Sequence, residues 1–324
     1  MTRRPTILLT DPINADAQAG LAEAATVVVV PSGLSAEESE AALRRLLPEA
    51  DGLIVRRQLP DDLFDNANRL RGVVRHGVGL DFIPVERATA QKIPVANTPG
   101  VNANAVAEYC FAAMLAISRQ LARFDAEVRQ ENWQSRTTAG TRTFDLSGRT
   151  LGIIGYGAIG KRIGEIAVHG FSMAVAAHTT TPSRLPPHVR PLSLSELFVV
   201  SDFVIVACPL TPQTRGMVDR SVLAHGKPGA VLINVGRGPI IREDDLADAL
   251  IAGSLAGAVL DVFEVQPLPM SSRLRTHPNV ILTPHLAGVT QDSERAMGFM
   301  AVDTVLALVA GERPDNTVNR EIWG

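Results

Sequence analysis

Short apolar runs alternate with amphipathic stretches along the first hundred residues of the chain. Four runs are rich in aliphatic, mostly β-branched residues and are bounded by polar or turn-forming residues, at 5–10, 26–30, 52–55 and 72–75. Between them lie stretches with helical spacing, such as 36–47. Buried strands that alternate with helices predict βαβ units in a parallel sheet.

The pattern then repeats in a longer block. The turn sequence Asn-Thr-Pro-Gly at 97–100 is followed by a predicted long apolar helix, about 103–121. A second series of strands starts at Thr150: TLGIIG, MAVAAH, FVIVAC, AVLINV, AGAVLDV and NVILTP. Six strands with intervening helices predict a doubly wound, Rossmann-type parallel sheet. A last helix, about 290–310, has no sheet of its own to cover, so we expect it to pack on the N-terminal domain.

Composition excludes several function classes. The 324 residues carry 31 basic and 34 acidic side chains, a net charge of −3 that gives no general attraction to nucleic acid or anionic membranes. No apolar run reaches the ~18 residues that a membrane span needs. Cys110 and Cys208 are far apart, which argues against a disulfide framework or a cysteine-based metal site. The N-terminus predicts a first strand rather than a signal peptide, and we expect a cytoplasmic protein without a metal.

A glycine-rich turn follows the first strand of the second series and opens a helix. It has the G-x-G-x-x-G pattern, in which the glycines permit a tight turn, backbone approach to a pyrophosphate and close helix packing. The phosphates would lie on free amides at the positive end of the helix. We therefore predict that a dinucleotide binds at Gly155, Tyr156, Gly157, Ala158, Ile159 and Gly160.

The next strand carries the signal for the type of dinucleotide. An acidic residue that would bind the ribose hydroxyls of NAD is expected about 20 residues after the glycines. Thr179 stands there instead, and no Asp or Glu lies between Glu165 and Glu196. Hydroxyls with the nearby Arg184 could accept a 2′-phosphate, so the sequence favours NADP, with NAD as the alternative.

Several motifs together resemble the D-isomer-specific 2-hydroxyacid dehydrogenase family, which includes phosphoglycerate dehydrogenase-like proteins. The resemblance covers nearly the whole chain. Besides the glycine-rich turn, it rests on RHGVGLD at 75–81, NTPG at 97–100, PLTP at 209–212, NVGRG at 234–238, LDVF at 260–263 and LTPHLAG at 282–288.

The resemblance implies a discontinuous domain organisation. A flavodoxin-like substrate domain would comprise residues 1–99 and 289–324, with the dinucleotide-binding domain, 100–288, inserted within it. It also implies a homodimer, whose interface would include the apolar helix at 103–121 and the segment around Trp133. From the length of the chain we expect no C-terminal regulatory domain of the kind found in the long phosphoglycerate dehydrogenases, although a short form stays possible.

Reduction of a 2-keto acid requires that the carboxylate be held, the keto oxygen polarised and a proton delivered. Arg237 follows a strand in a glycine-flanked loop, and its planar fork suits carboxylate and carbonyl oxygens. Among the seven histidines, His285 ends a strand and matches the family's acid–base histidine. The family pairs it with a glutamate, but Gln266 stands at that position here, and Glu264 is out of phase. A glutamine can orient an imidazole but cannot stabilise imidazolium by charge. We therefore predict a histidine pKa lower than that of a glutamate-paired histidine.

Other site residues are implied by the same resemblance. Asp261 would hold the nicotinamide carboxamide, with Cys208, Pro209 and Val235 lining the cofactor site. The amides of Val78 and Gly79 would bind the substrate carboxylate. Two further substrate contacts are predicted at strand ends, where the alternatives are surface charge for Arg56 and packing for His76.

The sequence thus predicts an NAD(P)H-dependent reductase of small 2-keto acids, such as glyoxylate or hydroxypyruvate, that also runs in reverse. One alternative is a short-form D-3-phosphoglycerate dehydrogenase. Another, from a different class, is a cofactor-sensing, corepressor-like binding protein without turnover. Intact Arg237 and His285 argue against this last class, and Gln266 is the one feature that favours it.

Overall fold

The computed structural model describes residues 3–324, and this part of the chain forms two compact units. The first unit comprises the chain up to Asn102 together with Val289–Gly324, and the second comprises Ala103–Gly288. No helix of the described residues is both long enough and apolar enough to cross a membrane.

Twelve strands and eleven helices are defined in the described residues, besides short 3-10 turns. The strands are β1 (Thr6–Leu9), β2 (Thr26–Val29), β3 (Gly52–Val55), β4 (Val73–Arg75), β5 (Val95–Ala96), β6 (Thr150–Ile154), β7 (Ala174–His178), β8 (Val189–Pro191), β9 (Phe203–Val206), β10 (Val231–Asn234), β11 (Gly257–Leu260) and β12 (Val280–Leu282). The helices are α1 (Ala15–Ala24), α2 (Ala36–Leu46), α3 (Val85–Ala90), α4 (Ala103–Arg119), α5 (Leu121–Arg129), α6 (Ser135–Thr138), α7 (Ala158–Phe171), α8 (Leu194–Val200), α9 (Arg220–Leu223), α10 (Glu243–Ile251) and α11 (Gln291–Ala310).

The first unit is built on a five-stranded parallel sheet. Its strand order is β2-β1-β3-β4-β5, the flavodoxin-like arrangement. Helix α11 covers one face, where Ala301, Val305 and Leu308 join Ile7 and Ile54 in one buried cluster. Each large side chain buried in this way contributes roughly 1.5–3 kcal/mol. The last helix therefore belongs to the core of the N-terminal sheet.

The second unit is built on a seven-stranded parallel sheet of order β12-β11-β10-β9-β6-β7-β8. Successive residues of its strands face opposite sides. Ile154 and Val206 enter one buried cluster, whereas Ile153 and Ile205 enter the other. The strand order reverses between β6 and β9. In sheets of this kind, ligands bind at the carboxyl ends of the strands beside such a reversal.

Two features of the second unit differ from the sequence predictions. The seventh strand, β8, was not predicted because it has three residues, two of them exposed, and ends in proline. The long helix ends at Arg119 rather than near residue 121, because Gln120 adopts a left-handed conformation (φ +49°) and a separate helix, α5, begins after it.

Candidate active site

The glycine-rich turn joins β6 to α7. Gly155 has φ +92°, and a Cβ there would lie 2.7 Å from the Cα of Cys208, while a Cβ on Gly160 would lie 2.2 Å from the carbonyl oxygen of Gly155. In contrast, no heavy atom lies within 4 Å of a Cβ built on Gly157, and no side chain caps this end of α7. The first amides of the helix are thus available to an anion. The turn fits a dinucleotide pyrophosphate on its open side.

Tyr156 sits within this turn, but its ring packs inward. A Cβ on Gly164 of α7 would lie 2.5 Å from the Tyr156 hydroxyl, which has no hydrogen-bond partner among the described residues. A cofactor at the turn would therefore meet the backbone of Tyr156, Ala158 and Ile159 rather than the phenol.

The end of β7 carries the residues predicted to select the dinucleotide. Thr179 follows the strand, and its hydroxyl accepts a hydrogen bond of 3.3 Å from the amide of Thr181. Arg184 is exposed in the next short turn. The loop therefore presents hydroxyls and one cation, with no carboxylate in its sequence.

The segments that follow β9 and β10 carry the other residues predicted to line the cofactor site. Cys208 and Pro209 follow β9, and burial raises the pKa of the Cys208 thiol to about 11, so the thiol stays protonated near neutral pH. Val235 follows β10, is buried, and donates its amide proton to the carbonyl oxygen of Val206 (3.1 Å).

Arg237 lies in a loop that buried Asn234 holds at the end of β10. The Asn234 side chain accepts from the amide of Gly236 (3.0 Å) and donates to the carbonyl oxygen of Arg237 (3.1 Å). A Cβ on Gly238 would lie 1.8 Å from the carbonyl carbon of Phe263, so this loop packs directly on the chain that follows β11. Asn234 was not among the predicted site residues, although a polar residue that ends a buried apolar strand is a visible signal.

His285 follows β12 with a left-handed backbone (φ +58°) and faces Gln266. The distance from His285 Nδ1 to Gln266 Oε1 is 3.2 Å. Glu264, two residues earlier, instead accepts a hydrogen bond of 3.0 Å from the amide of Glu243. Gln266 is thus the side chain that pairs with the imidazole.

Asp261 is buried at the end of β11 and fixes the backbone around His285. Its carboxylate accepts hydrogen bonds of 2.8 Å from the amides of Leu286 and Ala287, and its carbonyl oxygen accepts 2.8 Å from the amide of His285. The Thr283 hydroxyl also donates to this carboxylate, at 2.7 Å. The carboxylate therefore has an evident role in the protein itself, besides any contact with a cofactor.

The predicted substrate contacts of the first unit lie at the ends of β3 and β4. Arg56 pairs with Glu294 (2.7 Å) and donates to the carbonyl oxygen of Pro12 (2.7 Å). His76 is 4% exposed, its Nε2 has no partner among residues 3–324, and burial with the charges of Arg56 and Arg75 lowers its pKa to about 4.

The amides of Val78 and Gly79 follow in the same loop. Neither makes a hydrogen bond within the part of the chain that the structure describes. The loop is held instead by Thr98, whose hydroxyl accepts from the amide of Gly77 (2.9 Å), and by Asn97, which donates to the carbonyl oxygen of Val78 (2.8 Å). Across the described residues, no three His, Cys, Asp or Glu side chains cluster so as to hold a metal ion.

Known proteins are similar to this chain in both sequence and fold. Residues 111–287 match the family described as D-isomer specific 2-hydroxyacid dehydrogenase, NAD binding domain. A glyoxylate reductase of Pyrococcus furiosus is 37% identical over 88% of this chain and 88% of its own length. A D-3-phosphoglycerate dehydrogenase of Mycobacterium tuberculosis is 36% identical over 84% of this chain, which spans about half (52%) of that longer protein.

A solved structure agrees with these sequence relatives. The NADPH-dependent glyoxylate/hydroxypyruvate reductase of Sinorhizobium meliloti, in complex with NADP and malonate, is 32% identical with a TM-score of 0.82, over 98% of this chain and 97% of that one. The chain belongs to the D-isomer specific 2-hydroxyacid dehydrogenase family, and it is an NAD(P)-dependent oxidoreductase. The predicted family and the predicted α/β fold class are confirmed.

Proposed function

We propose that this enzyme reduces small 2-keto acids of the glyoxylate and hydroxypyruvate type to D-2-hydroxy acids, and that it also catalyses the reverse oxidation. The observation that carries the proposal is the alignment of Arg237, Asp261 and His285 at the carboxyl ends of the adjacent strands β10, β11 and β12. The relatives named glyoxylate reductase and glyoxylate/hydroxypyruvate reductase support the substrate class.

Each site residue has its own proposed role in the reaction. The glycine-rich turn, together with Cys208, Pro209 and Val235, would hold a dinucleotide, which when bound would supply the hydride for the keto carbon. His285 donates the proton to the keto oxygen, and Gln266 orients the imidazole because its Oε1 accepts from Nδ1–H. Arg237 polarises the keto oxygen and pairs with the carboxylate. The carbonyl thereby becomes an alcohol.

Further substrate contacts are proposed for the loop after β4. The amides of Val78 and Gly79, which donate to no described residue, would bind the carboxylate. The unpaired Nε2 of His76 would hydrogen-bond the substrate as a neutral group. We leave Arg56 out of these contacts, because its guanidinium already binds Glu294 and Pro12.

The cofactor preference and the assembly are part of the proposal. Thr179 and exposed Arg184 support NADP over NAD, as does the NADPH dependence named for the Sinorhizobium meliloti enzyme. Exposed Leu121 and Trp133, beside the apolar helix α4, support a homodimer. Free Cys110 and Cys208 support a cytoplasmic location, where thiols stay reduced.

The test is oxidation of NADPH and NADH by the purified enzyme against glyoxylate, hydroxypyruvate, pyruvate and larger keto acids. We expect the two small substrates and NADPH to give the highest kcat/KM. The M. tuberculosis relative motivates a parallel assay of 3-phosphoglycerate oxidation, and preference for that substrate would replace the proposed one. Absence of turnover with every substrate, together with tight NADP(H) binding, would instead indicate a cofactor-sensing protein.

A further inference from the structure

A chain of hydrogen bonds runs from helix α4 to the loop that carries His285. The Tyr109 hydroxyl lies 2.6 Å from Thr283 Oγ1, and the Thr283 hydroxyl donates to Asp261 Oδ1 at 2.7 Å. A threonine hydroxyl has one proton, which goes to the carboxylate, so Tyr109 is the donor of the first bond. Burial raises the pKa of Tyr109 to about 12, so the phenol keeps this proton near neutral pH.

The far end of this chain of hydrogen bonds, at Asp261, determines the backbone conformation of His285. The two oxygens of the Asp261 carboxylate accept the amides of Leu286 and Ala287, one each, immediately after the histidine. His285 itself has a left-handed backbone, which is unfavourable for a residue with a Cβ and persists only where neighbouring bonds hold it. The direction in which the Asp261 carboxylate points therefore determines where the imidazole lies.

We propose that Tyr109 is a positioning residue for His285, acting through the Thr283 hydroxyl and the Asp261 carboxylate. The proposal rests on the proposed role of His285 as the proton donor. All four residues belong to the second unit, although Tyr109 and Thr283 are 174 positions apart in sequence. Nearby positions of α4, among them Val106, Cys110 and Met114, are buried in the core. The packing of this helix therefore fixes the backbone position of Tyr109.

The variant Tyr109→Phe tests the proposal because it removes only the hydroxyl. Loss of one buried hydrogen bond predicts a kcat for keto-acid reduction lower by roughly three- to tenfold, with the KM for the keto acid changed by less than about twofold. Thr283→Val should lower kcat further, and Thr283→Ser, which keeps the hydroxyl, should restore most of it. In the Thr283→Val background, Tyr109→Phe should have no added effect, because the link is already broken.

A second measurement requires neither substrate nor cofactor. Hydrogen exchange of the Leu286 and Ala287 amides should be faster in Tyr109→Phe than in the wild type, whereas exchange in the β6 and β9 strands should be unchanged. Ser118→Ala is the matched control, because this buried hydroxyl of the same helix donates within α4, to the carbonyl oxygen of Leu115 (3.4 Å). The control should leave both kcat and the exchange of these amides unchanged.

Two results would overturn the proposal. One is wild-type exchange of the Leu286 and Ala287 amides in Tyr109→Phe. The other is a double variant whose two effects on kcat multiply in full, since that would assign Tyr109 to packing of α4 alone. If the wild-type enzyme reduces no keto acid, the proposed function fails, and the exchange measurement still decides whether Tyr109 holds this loop.

Discussion

The amide oxygen of Gln266 lies 3.2 Å from Nδ1 of His285, so the imidazole pairs with a neutral group rather than with a carboxylate. The variant Gln266→Glu should therefore raise the pKa of His285, because a nearby negative charge stabilises imidazolium. Reduction needs the protonated imidazole, so its rate falls as pH rises through that pKa. We expect the pH at which kcat/KM falls to be higher by roughly one unit or more in the variant.

The matched control for that experiment is Glu264→Gln. This side chain carries the nearby negative charge but faces the amide of Glu243 rather than the imidazole. In this control, kcat/KM should fall at the same pH as in the wild type. If kcat/KM of Gln266→Glu also falls at the wild-type pH, then charge on residue 266 does not control the pKa of His285.

Asp261 should matter for stability as well as for turnover. Both of its oxygens accept backbone amides, so in Asp261→Asn the new NH2 group must face an N–H donor whichever way it turns. We expect a loss of roughly 2–3 kcal/mol in the free energy of unfolding and a fall in kcat of at least about tenfold. Urea unfolding and steady-state kinetics measure the two effects. Asp303→Asn, on the exposed side of α11, should change neither, and equal behaviour of the two variants would refute the assigned role of Asp261.

His76 should make stability depend on pH. Its pKa falls from the ordinary 6.5 to about 4 in the folded protein, so between these values the unfolded chain binds more protons. The contribution of neutral His76 to the free energy of unfolding is complete above pH 6.5. This contribution, roughly 3 kcal/mol at most, is lost as the pH falls toward 4. Urea unfolding from pH 7 to 4 should therefore show a shallower pH dependence in His76→Leu. Parallel curves for the two proteins would contradict this account.

The cofactor preference should depend on the loop after β7. Thr179→Asp would place a carboxylate where a 2′-phosphate is proposed to bind, and Arg184→Ala would remove the proposed cation. Each should lower the NADPH/NADH ratio of kcat/KM by roughly tenfold or more. Arg190→Ala, an exposed arginine of neighbouring β8, should leave the ratio unchanged. A wild-type preference for NADH would remove the basis of this prediction.

The proposed dimer should depend on the exposed apolar residues after α4. Leu121 is 65% exposed and Trp133 is 70% exposed. The double variant Leu121→Glu/Trp133→Glu should weaken dimerisation by roughly 100-fold or more, because buried charges without partners are costly. Sedimentation velocity at several concentrations measures this. Met270→Glu is the control, since Met270 is 84% exposed but lies outside this segment, and equal dimer affinity in the two variants would locate the interface elsewhere.

The sequence was sufficient for the central strands of both sheets because these are apolar runs, as in β3, β9 and β10, where each residue is buried. The edge strands β5 and β8 were not predicted, because they have only two and three residues. The pairing of Gln266 with His285 came from the family resemblance rather than from local spacing, and the two side chains lie 3.2 Å apart. The link between Tyr109 and Thr283 could not be predicted in this way. It depends on how α4 packs against the sheet, and two hydroxyl residues so far apart in sequence carry no local signal of their pairing.

We assign keto-acid reduction to the side chains at the ends of β10 and β12. The most direct test is NADPH oxidation with glyoxylate by wild type, His285→Ala and Arg237→Gln, with NADPH affinity measured separately by fluorescence. We predict that each variant lowers kcat/KM by roughly 1,000-fold or more while the Kd for NADPH stays within about threefold of the wild-type value. If a variant keeps its kcat/KM within about tenfold of the wild type, the residue it replaces does not have the proposed catalytic role.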